Sequence, residues 1–120
     1  MNILIVDESI AVTNRLKNIL KAKHSITTYN DMFIALKHLK NSQEFDVIII
    51  DFVLPQINGK DLIDHVFDFN PDTAFIFMSY HFNLKFNSLL QDKYCNAQII
   101  KKSATRKELG HTINRLCMAG

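Results

Sequence analysis

Acidic, hydroxyl and ammonium side chains follow four of the apolar runs in this sequence, each at the point where the run ends. Asp7 and Glu8 follow the first run, and Asp51 closes the third. Ser79 follows the fourth run, and Lys101 and Lys102 follow the fifth. If these runs are parallel strands of one sheet, their carboxyl ends meet at one edge, so we expect three carboxylates, a hydroxyl and an ammonium to gather there.

This set of residue types suits one kind of chemistry. Three carboxylates close together repel one another, and at neutral pH at least one would take up a proton unless a cation joined them. Oxygen ligands of this kind suit Mg²⁺, which binds a few carboxylates and a phosphate oxygen while keeping several waters. A carboxylate can also attack phosphorus and form an aspartyl phosphate, and a nearby ammonium and hydroxyl would neutralise and orient the phosphoryl group. The residues therefore indicate magnesium-dependent phosphoryl transfer to a carboxylate.

The elements that must position these residues follow from an alternation of short apolar runs and longer amphipathic stretches. Strands are predicted over residues 2–6, 25–29, 46–51, 73–78 and 97–100. Helices are predicted over residues 9–21 and 32–39, around 62–67 and 86–90, and over 109–117. Asn30 or Asp31 is expected to cap the second helix. Five strand–helix units favour an α/β fold, a doubly wound five-stranded parallel sheet with helices on both faces.

Composition limits the remaining function classes. The chain has 120 residues, so we expect one domain over residues 1–120. A net charge of +2 is too mild to indicate direct nucleic-acid binding, and no apolar run approaches the length of a membrane span. Two cysteines form no disulfide framework, and no secretory leader is evident. A soluble cytoplasmic protein is therefore expected.

At this point the chain resembles the receiver domain of two-component response regulators, essentially over its whole length. The resemblance is carried by residues 3–9 and 46–51, Pro55, Asn58-Gly59, Ser79 and Lys101. It implies a bacterial signalling domain with a flavodoxin-like sheet of strand order 2-1-3-4-5. It also implies Mg²⁺ as cofactor, with Asp7, Glu8, Asp51 and the backbone carbonyl of Val53 as its ligands.

Further roles follow from the same resemblance. Asp51 would accept a phosphoryl group from a histidine kinase or a phosphotransfer protein. Ser79 would hydrogen-bond that group and Lys101 would pair with its oxygens. The helix predicted around residues 86–90, the fifth strand and the last helix would then change their surface and bind a target protein or an output domain. A homodimer through the same surface is a family habit.

The sequence also departs from the family pattern at several positions. Lys102 stands where the family has proline, and Gln98 stands at the position of an aromatic switch residue, three before Lys101. Bulky Tyr80 replaces a small residue, and residues 94–95 are Tyr-Cys where Gly-Ala is usual. Tyr80 is expected either to restrict access to the phosphoacceptor or to serve as a substitute switch. Apart from this departure from proline, Lys102 is expected to lie on a solvated basic face with Arg106 and Lys107.

Two other functions remain open on sequence grounds. One is a divergent receiver that is not phosphorylated and acts as a constitutive protein–protein interaction module, which the departures at Tyr80, Gln98 and Lys102 favour. The other is a phosphatase with an aspartyl nucleophile, but such enzymes often carry Asp-x-Asp and here the third position is Ser9. We therefore expect a phosphoacceptor domain that is not an enzyme beyond its own phosphorylation and autodephosphorylation.

Overall fold

The computed structural model describes residues 1–40, 45–51, 72–80, 88 and 96–118 of the chain. Its strands are β1 (Asn2–Val6), β2 (Ser25–Tyr29), β3 (Val47–Asp51), β4 (Ala74–Ser79) and β5 (Ala97–Lys101). Its helices, numbered among the described residues, are α1 (Ile10–Leu20), α2 (Met32–Lys40) and α3 (Arg106–Met118). The helix predicted around 62–67 lies outside the described residues, and of the one predicted around 86–90 only Ser88 is described, as helical.

All five strands pair in parallel in the order β2-β1-β3-β4-β5, which confirms the predicted fold class and strand order. Val6 pairs with Ile50 across the β1–β3 ladder, and Asp51 pairs with Met78 across the next. Ser79 pairs with Lys101 at the end of the β4–β5 ladder. The carboxyl ends of these four strands therefore lie side by side, and the residues that follow them share one edge.

The central strand β3 explains why the sheet is covered on both sides. Its first four residues, Val47 to Ile50, are all fully buried. Because successive side chains of a strand point to opposite faces, a run without polar residues indicates that both faces are covered. β-branched side chains also suit the extended backbone. Each such side chain contributes about 1.5–3 kcal/mol when it is fully removed from water.

The buried residues divide into two cores, one on each face of the sheet. One core joins α2 to the sheet through Met32, Ala35, Leu39, Leu4, Val6, Ile48, Ile50, Phe75, Phe77 and Ile99, among others. The other joins α1 and α3 to the opposite face through Leu16, Leu20, Leu109, Ile113, Ile3, Ile5, Val47, Ile49, Ile76 and Met78, among others. Consecutive strand residues alternate between the two cores, so a shift of one residue would exchange the faces.

Side-chain caps determine where the helices begin. The hydroxyl of Ser9 accepts a hydrogen bond from the Val12 amide at the start of α1. Asp31 accepts from the amides at positions 33 and 34, so it is Asp31 rather than Asn30 that caps α2. Thr105 and Glu108 accept from each other's backbone amides and form a capping box for α3. All three caps lie at the carboxyl edge of the sheet, directly before the helices.

None of the helices within the described ranges is long and apolar enough to cross a bilayer.

Candidate functional site

Asp7 is the most enclosed acidic residue at the carboxyl edge of the sheet, with 1% of its surface exposed. Its Oδ1 accepts a hydrogen bond of 2.8 Å from the Ser9 amide. Its backbone is held as well, because its amide donates to the Tyr29 carbonyl and the Asn30 side chain donates to its carbonyl at 2.8 Å. The same Asn30 amide group reaches Thr13 of α1 at 3.1 Å. The orientation of Asp7 is thus determined by β2, α1 and its own turn.

A single lysine links Asp7 to Asp51. Lys102 Nζ lies 3.0 Å from Asp7 Oδ2 and 3.0 Å from Asp51 Oδ2, and the Lys102 side chain is only 8% exposed. Asp7 Oδ2 has no hydrogen bond of good geometry, so the nearby ammonium compensates its burial by charge. Burial by itself lowers the pKa of Lys102, but its close contacts with the negatively charged carboxylates of Asp7 and Asp51 raise it above its ordinary value. The ammonium is therefore fully charged at neutral pH.

The lysine expected at this place was Lys101, but the lysine that the structure places beside Asp7 and Asp51 is Lys102. β5 extends to Lys101, which pairs with Ser79, whereas the predicted strand stopped at residue 100. The side chain of Lys101 is exposed. The turn begins at Lys102, whose amide donates to the Ser79 carbonyl at 2.8 Å. Strand alternation sends Lys101 away from the carboxylates, and the turn brings Lys102 onto them. Lys102 therefore does not belong to a solvated basic face.

The other expected site residues are placed as follows. Asp51 ends β3 with its side chain 13% exposed, and Ser79 ends β4 half-buried. Glu8 is exposed, so of the three carboxylates the structure brings together Asp7 and Asp51 only. Within the described ranges no three His, Cys, Asp or Glu side chains are close enough to hold a metal ion. Val53 lies outside the described residues.

The sequence of the chain matches a known protein family. The family model of the response regulator receiver domain matches residues 3–114 of the chain. The chain belongs to this family. It is therefore a receiver domain of a two-component system, a kind of signalling domain that is generally not an enzyme. Domains of this family interact with histidine kinases or phosphotransfer proteins and with output domains.

Solved structures of receiver domains share the fold at low sequence identity. A response regulator receiver domain protein from Clostridium thermocellum matches with a TM-score of 0.86 and 21% identity, over 98% of this chain and 94% of that chain. The chemotaxis protein CheY4 of Vibrio cholerae matches with a TM-score of 0.83 and 21% identity, over 96% and 97%. The receiver domain of the hybrid histidine kinase CckA matches with a TM-score of 0.78 and 19% identity, over 98% and 99%. No curated protein sequence matches at a significant level.

Receiver domains generally bind Mg²⁺ in their acidic site, and the donor set here fits such an ion. Asp7 Oδ2 is a buried carboxylate oxygen without a hydrogen bond, and Asp51 Oδ2 is close enough for one ammonium to bridge the two. Hard oxygen ligands of this kind are those that Mg²⁺ prefers. Glu8, exposed beside Asp7, is free of the ion pair and is adjacent in sequence.

In this receiver domain, the position that corresponds to the family's aromatic switch residue lies three residues before the site lysine. If that lysine is Lys102 and not Lys101, the switch position shifts by one residue. Three residues before Lys102 is Ile99, which is 2% exposed in the core beneath α2. Gln98, which was assigned that position, alternates to the opposite face, where its Oε1 is buried without a hydrogen-bond partner. Ser103, not Lys102, then stands where the family has proline. No aromatic side chain occupies the switch position in either alignment.

Among the described residues, Tyr80 brings an aromatic ring to the site. The residue is 73% exposed, and Lys102 Nζ lies 4.7 Å from the ring centroid. A cation at this distance from an aromatic face is attracted by the electrons of the ring. The ammonium of Lys102 is therefore enclosed by two carboxylates and one ring.

The sequence analysis missed two residues that position the site. Asn30 was considered only as a helix cap, although it fixes both the backbone of Asp7 and a side chain of α1. Lys102 was missed because Lys101, the adjacent residue, was chosen instead. A signal for Lys102 is the cap at Thr105, which marks the start of α3. A short turn must lie between β5 and this cap, and Lys102 is the first residue of that turn.

Proposed function

We propose that this receiver domain accepts a phosphoryl group on Asp51 from a phosphorylated histidine of a kinase or phosphotransfer protein, in a reaction that requires Mg²⁺. The observation that carries the proposal is the buried ammonium of Lys102, which bridges Asp7 and Asp51 at 3.0 Å each. Two carboxylate oxygens, which can hold a cation, thus lie close to an ammonium, which can pair with a dianionic phosphoryl group.

In the proposed transfer, an oxygen of the Asp51 carboxylate attacks phosphorus. The bond from phosphorus to the donor histidine breaks, and that histidine leaves with the electron pair and takes up a proton. Lys102, in place of Lys101, pairs with the phosphoryl oxygens, and Ser79 at the end of β4 donates its hydroxyl to one of them. The transfer exchanges the negative charge of a carboxylate for the larger charge of a phosphoryl group, so the ammonium is needed more afterwards than before.

Mg²⁺ would be held by Asp7 and Asp51, with Glu8 and the Val53 carbonyl as the further ligands that the family suggests. When bound, the ion supplies positive charge that neutralises the phosphoryl oxygens as charge develops on them. Asp7 is prepared for this role, because its second oxygen is already fixed by the Ser9 amide at 2.8 Å. The proposal extends to the whole chain as one domain in the cytoplasm. The acyl phosphate formed on Asp51 is hydrolysed by water within the domain itself, which restores the carboxylate and releases inorganic phosphate.

The test is the intact mass of the protein after incubation with acetyl phosphate and Mg²⁺. Wild type is compared with Asp51→Asn and with Asp46→Asn, a matched control at the other end of β3. We expect a phosphoryl adduct on wild type and on Asp46→Asn, and none on Asp51→Asn. An adduct on Asp51→Asn would identify another acceptor.

If no protein carries an adduct, Mg²⁺ and beryllofluoride binding separate the remaining explanations. Binding of both by wild type, with loss in Asp51→Asn, indicates an acyl phosphate that hydrolyses too quickly to be observed. Failure of both contradicts the proposal and favours a constitutive interaction module.

A further inference from the structure

Arg15 joins helix α1 to the turn between β5 and α3. Its guanidinium donates to the carbonyl of Ala104 at 2.6 Å and to that of Lys102 at 3.2 Å. A third, longer contact of 3.5 Å reaches the carbonyl of Ser103. The three acceptors are consecutive, so one side chain holds the whole turn that follows Lys101. The partners lie almost ninety positions away in the sequence, and only the packing of α1 brings Arg15 to them.

The contact of Arg15 with the Lys102 carbonyl is one of two hydrogen bonds that hold the backbone of Lys102. Its amide donates to the carbonyl of Ser79 at the end of β4, at 2.8 Å. Its carbonyl accepts from Arg15 on the opposite side. Both polar groups of the Lys102 backbone are thus satisfied by different elements, and the side chain extends from this fixed point to the carboxylates.

Such fixation matters because of the kind of side chain that Lys102 carries. A lysine ammonium is a compact charge at the end of a flexible four-carbon stem, and its place depends on the place of its Cα atom. Both carboxylate oxygens are reached at the same 3.0 Å, which requires the stem to start at a defined position. The turn contains no proline or glycine that would restrict or direct its backbone.

We propose that Arg15 is a positioning residue for Lys102, and that it acts by holding the backbone of residues 102–104 so that the ammonium reaches Asp7 and Asp51. The part of this inference that concerns phosphoryl transfer rests on the proposed function. The planar guanidinium suits the role, since its donors are spread over a rigid fork that can reach carbonyls of successive residues, whereas an ammonium is a single compact group at the end of a flexible stem. Arg15 itself does not contact either carboxylate among the described residues.

The first test measures the position of the Lys102 ammonium without any phosphorylation. Amine acetylation at limiting reagent, followed by peptide mass spectrometry, gives the ratio of labelling at Lys102 to labelling at Lys101. The neighbouring Lys101 is exposed, so it is an internal control in the same peptide, whereas Lys102 is enclosed and should label slowly in wild type. In Arg15→Ala we expect the ratio to rise by about three- to tenfold, as expected for the loss of charged hydrogen bonds at a partly exposed site.

Two further variants make this result specific. Asn18→Ala changes another exposed residue of α1 and should leave the ratio at the wild-type value. Arg15→Lys keeps the charge and the helix but lacks the fork, so it should give an intermediate ratio. If Arg15→Ala unfolds, which circular dichroism would show, Arg15→Lys alone decides. A ratio equal to wild type in a folded Arg15→Ala, or in Arg15→Lys when Arg15→Ala is unfolded, overturns the proposal.

The second test asks whether Arg15 acts through Lys102. The rate of phosphorylation by acetyl phosphate is measured for Arg15→Ala, Lys102→Ala and the double variant. We expect Arg15→Ala to slow wild type by about three- to tenfold and to have no further effect once Lys102 is absent. Equal slowing in both backgrounds would mean that Arg15 acts on the fold and would overturn the positioning role.

The two tests also separate this inference from the proposed function. If wild type acquires no phosphoryl group but the labelling ratio rises in Arg15→Ala, the proposed function fails and the positioning of Lys102 stands. If wild type is phosphorylated and Arg15→Ala changes neither the ratio nor the rate, the positioning fails and the function stands.

Discussion

One aspartate, Asp46, directly precedes strand β3 and another, Asp51, ends it, but the surroundings of the two carboxylates differ. At the carboxyl end, Asp51 is 13% exposed and is paired with a buried ammonium that it shares with Asp7. At the amino end, Asp46 is exposed and accepts a hydrogen bond of 2.8 Å from the Asn2 amide. A cavity of about 420 Å³ at the amino end is bordered by Asp46, Asp72 and Cys117 among others.

The difference follows from the direction of the parallel strands. Helices α1, α2 and α3 all begin directly after a strand, so their amino ends lie at the carboxyl edge of the sheet. The partial positive charge of a helix amino end favours anions nearby, and unpaired backbone amides offer them hydrogen bonds, as Ser9 does for Asp7. Carboxylates can thus be buried at this edge, whereas at the opposite edge they remain in contact with water.

The largest expected effect concerns metal affinity. Asp7→Asn removes the negative charge from the buried oxygen that has no hydrogen bond, and it should weaken Mg²⁺ binding by more than about tenfold. Asp46→Asn, a matched change at the amino end, should alter the affinity by less than about twofold because Asp46 lies at the opposite edge. Isothermal titration calorimetry measures both. Equal losses in the two variants would remove the distinction between the ends.

A change at Lys102 should affect stability in a way that depends on Mg²⁺. In Lys102→Met the two carboxylates lose the ammonium between them, and their repulsion should lower the free energy of unfolding by about 1–3 kcal/mol without metal. Mg²⁺ should restore most of this loss. Urea denaturation with and without Mg²⁺ measures it. Lys101→Met is the control, since that side chain is exposed, and a similar loss there would contradict the placement of the two lysines.

The contact between Tyr80 and Lys102 should give a smaller effect. Tyr80→Ala removes the ring 4.7 Å from the ammonium and should change the rate of phosphorylation by about two- to fivefold. Tyr80→Phe keeps the ring and should behave as wild type. The rates are measured with acetyl phosphate across a range of concentrations. If Tyr80→Ala reaches the same maximal rate but at a different acetyl phosphate concentration, Tyr80 controls access to the site. Identical kinetics in all three proteins would exclude any role of Tyr80 in phosphorylation.

The smallest effect is expected at the amino end, where Cys117 borders the cavity. Burial, and after it the charge of Asp46, raises the pKa of the Cys117 thiol. As the pH rises past the ordinary pKa of a thiol, the unfolded chain ionises first, so the free energy of unfolding should fall until the folded thiol also ionises. Thermal melts between neutral and alkaline pH, in a Cys95→Ser background, measure this fall. Cys117→Ala should reduce it; an unchanged slope would place its cause elsewhere.

The sheet and its two cores could be predicted from local patterns. Within the predicted strand 46–51, residues 47–50 are all apolar and leave no polar face, so a central strand covered on both sides was the natural interpretation, and the structure confirms it. The stripe of α1, with Leu16 and Leu20 buried, follows from helical spacing in the same way. Asp7 and Asp51 were placed at one edge because each follows a strand of a parallel sheet. These inferences need only the periodicity of the chain and the direction of its strands.

What the sequence by itself determined is therefore the type of each described element and the edge of the sheet at which Asp7 and Asp51 meet. Only the tertiary structure decided which lysine joins them, because the end of β5 is set by its pairing with β4 and one residue reverses the direction of a strand side chain. It also decided that Glu8 remains exposed and that Arg15 reaches the turn after β5. Such contacts join residues far apart in the chain, and their geometry depends on how helices and strands pack, which no local pattern records.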